Sequence, residues 1–187
     1  MKLIKMEKVK DGKYLKNYEL TYLNKSGKEK KYEIVSRKEL QSTEDIGREV
    51  SGLSIAAVNQ GRLLLLKEFR MGVNRSIYNL CAGMIDPGET IEDCVSRELY
   101  EETGLRVKQI IDVLPPSFAA VAISDTTTHI VFAEVEGEFE DHTSENEKID
   151  AGFYSKEEVC RLLETEDFSS RAQIIAYFYS RGFWPES

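Results

Sequence analysis

The chain has 187 residues, of which 41% are hydrophobic and 31% charged, and this fits one folded domain or one domain with a small appendage. Its 33 acidic and 25 basic residues give a formal net charge of −8 at pH 7, which argues against a nucleic-acid partner and against an anionic membrane surface. The apolar stretches are too short to span a bilayer, and the N-terminus lacks the apolar run of a secretory signal, so we expect a cytoplasmic protein.

The first third of the chain is polar and strand-like. Strands are predicted over residues 14–23 and 31–35, on either side of a turn at 24–27. A charged, loop-like stretch follows them. It divides the chain into an N-terminal β-strand appendage over 1–45 and a main domain over 46–187.

The main domain combines short strands with one long helix. Apolar runs at 53–58 and 63–66 predict a hairpin that is buried on both faces, and a further strand is predicted over 77–82. The main helix is predicted over 90–103. The remaining predicted elements are strands over 107–114 and 129–135, a strand ending at 154, and helices over 155–163 and 170–181. Strands thus precede, interrupt and follow the main helix, which predicts an α/β or α+β fold with a mixed sheet.

The main helix carries acidic residues where a solvated surface is not expected. Thr90 can cap its start and Gly104 can end it. At 100° per residue, one face of the helix is apolar, and it consists of Ile91, Cys94, Val95 and Leu99. Glu98 and Glu102 fall inside this apolar stripe, and Glu101 lies on its border.

A bound divalent cation explains this placement better than a solvated acidic face does. Solvated acids would lie opposite the apolar stripe, and three neighbouring glutamates repel one another. Neutralisation of the acids by raised pKa values is an alternative, but a less attractive one for three adjacent residues. Because the chain has two histidines and three scattered cysteines, the expected ligands are oxygens and the expected ion is Mg²⁺ or Mn²⁺.

Several other residues are predicted to be structural. Cys81 and Cys94 lie in apolar segments and are expected in the core. His129 begins a strand and is expected to be structural, and His142 lies in an acidic loop, where we expect it to be solvated. In the last helix three apolar residues recur at helical spacing, namely Ile174, Tyr177 and Phe178. This spacing predicts that they pack in the core, and the alternative is a base-stacking or dimer surface.

The segment around the main helix matches a known sequence motif. Gly83 is followed after five residues by Glu89, and after seven more by Arg97-Glu98-Leu99-Tyr100-Glu101-Glu102-Thr103-Gly104-Leu105. These residues satisfy every fixed position of the Nudix box, so the chain resembles the Nudix hydrolase family. The resemblance implies an α/β/α sandwich with a mixed sheet. It also implies Mg²⁺-dependent hydrolysis of a nucleoside diphosphate linked to another moiety.

The resemblance assigns roles to the residues of the box. It implies that Glu98 and Glu102 bind metal, and that Glu101 assists them or holds a metal-bound water. It further implies that Arg97 and Glu89 form a salt bridge that fixes the loop against the helix. Ions that bridge a diphosphate to carboxylates neutralise charge as water attacks phosphorus, which agrees with the acidic stripe.

Outside the box the chain looks most like the ADP-ribose pyrophosphatase branch. By this resemblance Arg37 and Arg70 bind substrate, although both can also be ordinary solvated arginines. Asp125 stands where the branch often has an acid that contacts ribose. The backbone carbonyl of Ala82 matches a metal-ligand position in that branch.

The acidic loop over 136–150 resembles a loop that supplies a base and a metal ligand in the same branch. On this analogy Glu145 activates the water, with Glu101 as the alternative base, and Glu147 binds metal. The resulting ligand set would hold two or three ions. The alternative is that these acids belong to a solvated loop.

The chain departs from the branch at two places. It reads Asn79-Leu80-Cys81-Ala82-Gly83 where the branch commonly has Glu-Leu-Pro-Ala-Gly, and it has Ala120 where ADP-ribose-cleaving members usually have proline. These departures bear on the leaving moiety and not on the chemistry. By the resemblance ADP-ribose stays the first choice of substrate, followed closely by GDP-mannose and other nucleotide sugars. Two different functions stay open beside this one, those of a non-catalytic nucleotide-sensing module and of an RNA decapping enzyme. The resemblance also implies a homodimer in which the N-terminal strands complete the partner's pocket.

Overall fold

A computed structural model describes residues 1–185 of the chain. Within this range the helices are α1 (Ile91–Thr103), α2 (Lys156–Thr165) and α3 (Ser170–Ser180), with a short 3₁₀ helix at Thr43–Asp45. The strands are β1 (Lys2–Asp11), β2 (Lys16–Leu23), β3 (Glu29–Ser36), β4 (Val50–Asn59), β5 (Arg62–Arg70), β6 (Arg75–Asn79), β7 (Cys81–Met84), β8 (Arg106–Val113), β9 (Ser117–Phe118), β10 (Thr127–Glu136) and β11 (Ile149–Tyr154). None of the helices in this range is long and apolar enough to cross a membrane.

The chain forms two compact units. The first consists of Met1–Ser51 together with Pro116–Thr128, and the second consists of Gly52–Pro115 together with the chain from His129 onward.

The first unit contains a three-stranded antiparallel sheet in the order β1-β2-β3. The predicted strands over 14–23 and 31–35 correspond to β2 and β3, whereas β1 was not predicted as a separate element. The segment Pro116–Thr128 is joined to β3, since the Val35 N–H donates to the Ile123 carbonyl at 2.8 Å. The small core of this unit consists of Tyr18, Leu20, Ile34 and Leu40.

The second unit is built on a multistranded sheet in the order β11-β5-β4-β10-β8, with β6 paired to β5 and β7 paired to β4. The predicted hairpin is confirmed, because β4 and β5 pair through Val58–Leu63 and Asn59–Arg62 around a two-residue turn. The strand predicted over 77–82 is instead two strands with different partners. They separate at Leu80, whose side chain is buried in the core next to α2 and α3.

Both faces of this sheet are covered by helices. Successive strand residues point to opposite faces, so β4 and β5 supply two cores. The core next to α1 includes Leu53, Ile55, Leu64, Leu66, Cys94, Val95 and Leu99. The core next to α2 and α3 includes Ala56, Val58, Leu63, Leu65, Val159, Ala172 and Ala176. The expected α/β/α sandwich with a mixed α+β architecture is therefore confirmed, and so is the burial of Cys81 and Cys94.

The main helix has the ends that the sequence predicted. The Thr90 hydroxyl accepts a hydrogen bond from the Asp93 N–H at 3.1 Å, which satisfies one of the unpaired N–H groups of the first turn. Gly104 ends the helix with φ 75°, a left-handed conformation that glycine adopts without strain, and its N–H donates to the Tyr100 carbonyl at 2.9 Å.

The predicted core packing of Ile174, Tyr177 and Phe178 is wrong. These side chains are 57%, 50% and 49% exposed. The buried residues of α3 are Ala172, Ala176 and Tyr179, which recur at i, i+4 and i+7 and so form the face of the helix that packs in the core. His129 accords with its structural expectation, because its Nδ1 lies 2.8 Å from the Leu114 carbonyl oxygen.

Candidate active site

A cleft of about 410 Å³ opens in the second unit, beside α1. Its walls come from the ends of β5 and β7, from α1, and from the loop that precedes β11. The charged residues that line it are Glu68, Arg70, Glu98, Glu102, Glu147 and Lys148.

The helix phase places Glu98 in this cleft, as predicted. Its side chain lies on the buried side of α1 and the residue is 9% exposed. A side chain at Gly83 would overlap the Glu98 carboxylate, so the glycine makes room for the acid. Burial raises the pKa of Glu98, and the adjacent Arg97, which donates to Glu98 Oε1 at 2.7 Å, opposes that rise.

Glu102 lies one turn further along α1 and also lines the cleft. Its Oε2 accepts a hydrogen bond from the Ala82 N–H at 3.2 Å. Removal of this carboxylate from water raises its pKa to about 8, and the negative charges of Glu98 and Glu68 add to the rise. The two acids therefore lie where a cation would stabilise their charged forms.

Arg97 ties the helix to the loop before it. Its Nε and Nη2 donate to the two carboxylate oxygens of Glu89 at 2.8 and 2.9 Å, which is the salt bridge predicted from the sequence. Hydrogen bonds from Arg97 and from the Asp86 N–H hold the pKa of Glu89 down, to about 2. Glu101 is exposed, and its Oε2 lies 3.2 Å from Arg97 Nη1.

The acidic loop contributes unequally to the cleft. Glu147 lines it, and its carboxylate accepts hydrogen bonds from the N–H and hydroxyl of Ser144 at 3.1 and 2.9 Å. Asn146 also lines it, whereas Glu145 is exposed and is not among the described lining residues.

The same loop is attached to the end of α1. The Glu140 N–H donates to the Thr103 carbonyl at 3.0 Å. The His142 ring stacks on the Tyr100 ring with centroids 4.4 Å apart and planes at 23°. His142 was expected to be solvated. It is exposed, but it also makes this ring contact and lies 2.9 Å from Glu140.

The donor set suits a hard cation by its chemistry. The carboxylates of Glu98, Glu102 and Glu147 and the carbonyl of Ala82 offer oxygen atoms only, which Mg²⁺ prefers. Across residues 1–185, no group of three His, Cys, Asp or Glu side chains is already arranged to hold a metal ion.

Glu68 is a cleft residue that the sequence reasoning missed. It is 8% exposed, and its Oε1 accepts from Asn79 Nδ2 at 2.5 Å. The signal was present in the sequence, because strand alternation puts Glu68 in phase with Leu64 and Leu66, which face α1.

The predicted substrate-binding residues lie in both units. Arg70 lines the cleft. Arg37 and Asp125 belong to the first unit. There Arg37 is exposed, and Asp125 Oδ2 accepts from the Ser36 hydroxyl at 3.2 Å.

Known proteins resemble the chain in sequence and in fold. The NUDIX domain model matches residues 48–178. An ADP-sugar pyrophosphatase of Mus musculus is 29% identical over 71% of the chain, and an ADP-ribose pyrophosphatase of Saccharomyces cerevisiae is 32% identical over 72%. The matches cover 60% of each of these relatives, so the chain spans about 60% of their length.

A solved structure shares the fold. It is described as the crystal structure of an ADP compounds hydrolase, with a TM-score of 0.72 and 22% identity. The match covers 96% of this chain and 91% of the solved one.

Proposed function

Because the chain belongs to the NUDIX domain family, we propose that it is a Nudix hydrolase that cleaves the diphosphate of a nucleoside diphosphate sugar. The products would be a nucleoside monophosphate and a sugar phosphate. One observation carries the proposal, namely that Glu98, buried next to Gly83, and the half-buried Glu102 both line the cleft from α1. ADP-ribose is the first candidate substrate, supported by the names of the mouse and yeast relatives, and GDP-mannose or another nucleotide sugar is the alternative.

The reaction would depend on Mg²⁺, with Mn²⁺ as a substitute. Glu98, Glu102, Glu147 and the Ala82 carbonyl would hold two or three ions, with Glu101 assisting. When bound, such ions neutralise the charge of the diphosphate during the attack of water on phosphorus. The chain's own contribution is to keep these oxygens beside one cleft, and the Arg97–Glu89 pair keeps the loop and the helix in register.

Glu145 is the proposed general base, and Glu101 is its alternative. Both side chains are exposed, so either can exchange a proton with water. Arg97 Nη1 already donates to Glu101 Oε2 at 3.2 Å, so the Glu101 carboxylate is engaged in the same cluster of ion pairs as Glu89. This supports Glu145 as the first choice.

The arginines would bind the substrate. Arg70 lines the cleft, and a guanidinium suits phosphate oxygens because it presents several N–H donors in one plane. Substrate binding by Arg37, and a ribose contact by Asp125, rest on the family resemblance alone.

We further propose a homodimer and a cytoplasmic location. In the first unit β1 and the residues after it expose large apolar side chains, among them Ile4, Val9 and Tyr14, and an association of two chains would cover them. All three cysteines are free thiols, which accords with a reducing compartment.

A substrate panel tests the proposed function. The protein is incubated with Mg²⁺ or Mn²⁺ and with ADP-ribose, GDP-mannose, UDP-glucose or capped RNA, and the released phosphate compounds are detected. We expect cleavage of at least one nucleotide sugar and none in the presence of a chelator. If no diphosphate is cleaved with either ion, the proposal is wrong. Preferential cleavage of capped RNA would support the decapping function instead.

The variant Glu102→Gln tests the metal assignment. It removes one anionic ligand and nearly preserves the shape of the side chain, so we expect turnover to fall by orders of magnitude while the thermal unfolding temperature stays close to that of the wild type. Glu92→Gln, which removes an exposed acid from the same helix, is the matched control and should retain activity. Unchanged turnover in Glu102→Gln would exclude Glu102 as a ligand.

A further inference from the structure

A short hydrogen-bond network begins at the N-terminus of α3. The Ser169 hydroxyl oxygen accepts from the Ala172 N–H at 3.3 Å, which caps the helix. Its proton is therefore available to donate, and Asn79 Oδ1 lies 2.6 Å away. This contact determines how the Asn79 amide is oriented, with its oxygen toward Ser169 and its NH₂ group toward Glu68.

The Asn79 amide in turn holds Glu68. Nδ2 of Asn79 donates to Glu68 Oε1 at 2.5 Å, and Arg70 Nη1 donates to Glu68 Oε2 at 3.3 Å. A carboxylate that is almost fully buried is stable only when its oxygens have donors. Both oxygens of Glu68 have one, so the network extends from the cap of α3 to the guanidinium in the cleft.

Arg70 is the exposed end of this network. Its side chain is 55% exposed, and a free arginine side chain samples many rotamers, which must be given up on binding. The contact with Glu68 restricts that freedom. A guanidinium has five N–H donors, so one donated to Glu68 leaves the others for phosphate oxygens.

We propose that Glu68, held by Asn79 and Ser169, is a positioning residue that orients Arg70 toward the diphosphate of the substrate. This inference rests on the proposed function. It also accounts for the departure at position 79, where the related branch commonly has glutamate. A carboxylate at position 79 would face the Glu68 carboxylate without a proton to donate, whereas an amide bonds both neighbours.

The variants Glu68→Gln and Asn79→Asp test the positioning role. Both preserve side-chain size, and each removes a contact of the network. With the cleaved nucleotide sugar we expect KM to rise about tenfold, while kcat changes by less than about twofold, because Arg70 binds substrate less well. Lys67→Gln is the matched control, since Lys67 is the neighbouring residue on β5 and pairs with Glu166 instead. It should leave KM unchanged.

A double variant separates positioning from a direct role. If Glu68 acts through Arg70, Glu68→Gln in an Arg70→Ala background should raise KM no further than Arg70→Ala does alone. An equal additional effect in both backgrounds, or a fall in kcat with KM unchanged, would overturn the inference. Thermal unfolding of each variant checks that the fold is retained.

Binding of inorganic pyrophosphate provides a readout that does not depend on hydrolysis. Titration calorimetry of the whole protein in the presence of a chelator should show affinity about tenfold weaker for Glu68→Gln than for the wild type. Equal affinity, or no binding by the wild type, would overturn the positioning role. Pyrophosphate binding with no cleavage of any nucleotide sugar would contradict only the proposed function.

Discussion

Three glutamates close to the cleft show how position decides the behaviour of one residue type. Glu89 accepts hydrogen bonds from Arg97 and from a backbone N–H, and its pKa falls to about 2. Glu98 and Glu102 are removed from water, which raises the pKa of both, that of Glu102 to about 8. Glu89 is thus a permanent structural anion, whereas Glu102 requires a cation to be fully charged near neutral pH.

The Glu89–Arg97 pair leads to a prediction about stability and pH. The folded protein keeps Glu89 charged down to about pH 2, whereas its ordinary pKa is 4.5. The pair therefore stabilises the fold above pH 4.5 and loses that contribution as the pH falls toward about 2. Urea unfolding should show Glu89→Gln less stable than the wild type near neutral pH, with the difference shrinking as the solution is acidified.

Glu92→Gln is the control for this measurement, because it removes an exposed acid from the first turn of the same helix. Its difference from the wild type should change less with pH. A Glu89→Gln difference that stays constant down to about pH 3 would contradict the assigned role of the ion pair.

At the residue scale, local periodicity predicted one wall of the cleft and missed another. The 3.6-residue period placed Glu98 and Glu102 inward, and both line the cleft. Glu68 was missed because the predicted strand ended at residue 66, two positions before it, although the structure continues β5 to Arg70. Lys67 ends the apolar run that defined the predicted strand, and Glu68 beyond it is assigned to the cleft side only by the alternation of side chains along β5.

At the scale of elements, the acidic loop and α1 are joined at the end of the helix. The Glu140 backbone lies so close to Gly104 that a side chain there would come within 2.6 Å of it. The Thr103 carbonyl, which has no partner within the helix, accepts from the Glu140 N–H. The stack of His142 on Tyr100 adds a contact one turn earlier.

We expect Tyr100 to hold this loop through its ring. Tyr100→Ala should increase amide hydrogen exchange over residues 139–147 and lower activity, because Glu147 is on the same loop. Tyr100→Phe, which keeps the ring and lacks the hydroxyl, is the control and should behave like the wild type. Unchanged exchange in Tyr100→Ala would show that the backbone contact alone holds the loop.

The main helix and the β4–β5 hairpin, which have local sequence signals, were predicted well, whereas the division of the strand over 77–82 and the buried face of α3 were not. The predicted bounds of the main helix agree with the structure because its capping residues and its apolar period both lie within one continuous segment of the sequence. The strand over 77–82 divided because the two halves have different neighbours in the sheet. The outward face of α3 was predicted wrongly because two of its three buried residues, Ala172 and Ala176, are small and give a weaker apolar signal than the large residues that face outward.

At the scale of the whole molecule, contacts between distant parts of the chain define the first unit. Pro116–Thr128 follows the N-terminal strands by about 80 residues in sequence, yet it hydrogen-bonds to β3. No local pattern in the sequence predicts the pairing of this segment with β3. The expected boundary near residue 45 was drawn from composition alone.

The proposed homodimer leads to a prediction about assembly. In sedimentation velocity the protein should run at about twice the mass of the 187-residue chain. Ile4→Glu and Val9→Glu place charge on exposed apolar positions of β1, and we expect them to shift the protein toward monomer. Ile174→Glu on α3 is the control, because its residue is similarly exposed but lies outside the N-terminal strands. A monomeric wild type, or dissociation by the α3 variant, would contradict the proposal.

The two cores beside β5 have a mechanical consequence for the cleft. Leu63–Leu66 are buried on both faces of the sheet, so the strand that carries Glu68 and Arg70 is packed against a core on each side. Asn146, Glu147 and Lys148, which also line the cleft, belong to the loop before β11, and the Lys148 carbonyl accepts from the Phe69 N–H at 3.0 Å. The cleft is thus lined both by a strand that is packed on its two faces and by a loop. We therefore expect the loop to move when substrate enters and product leaves, and the strand to stay in the same position.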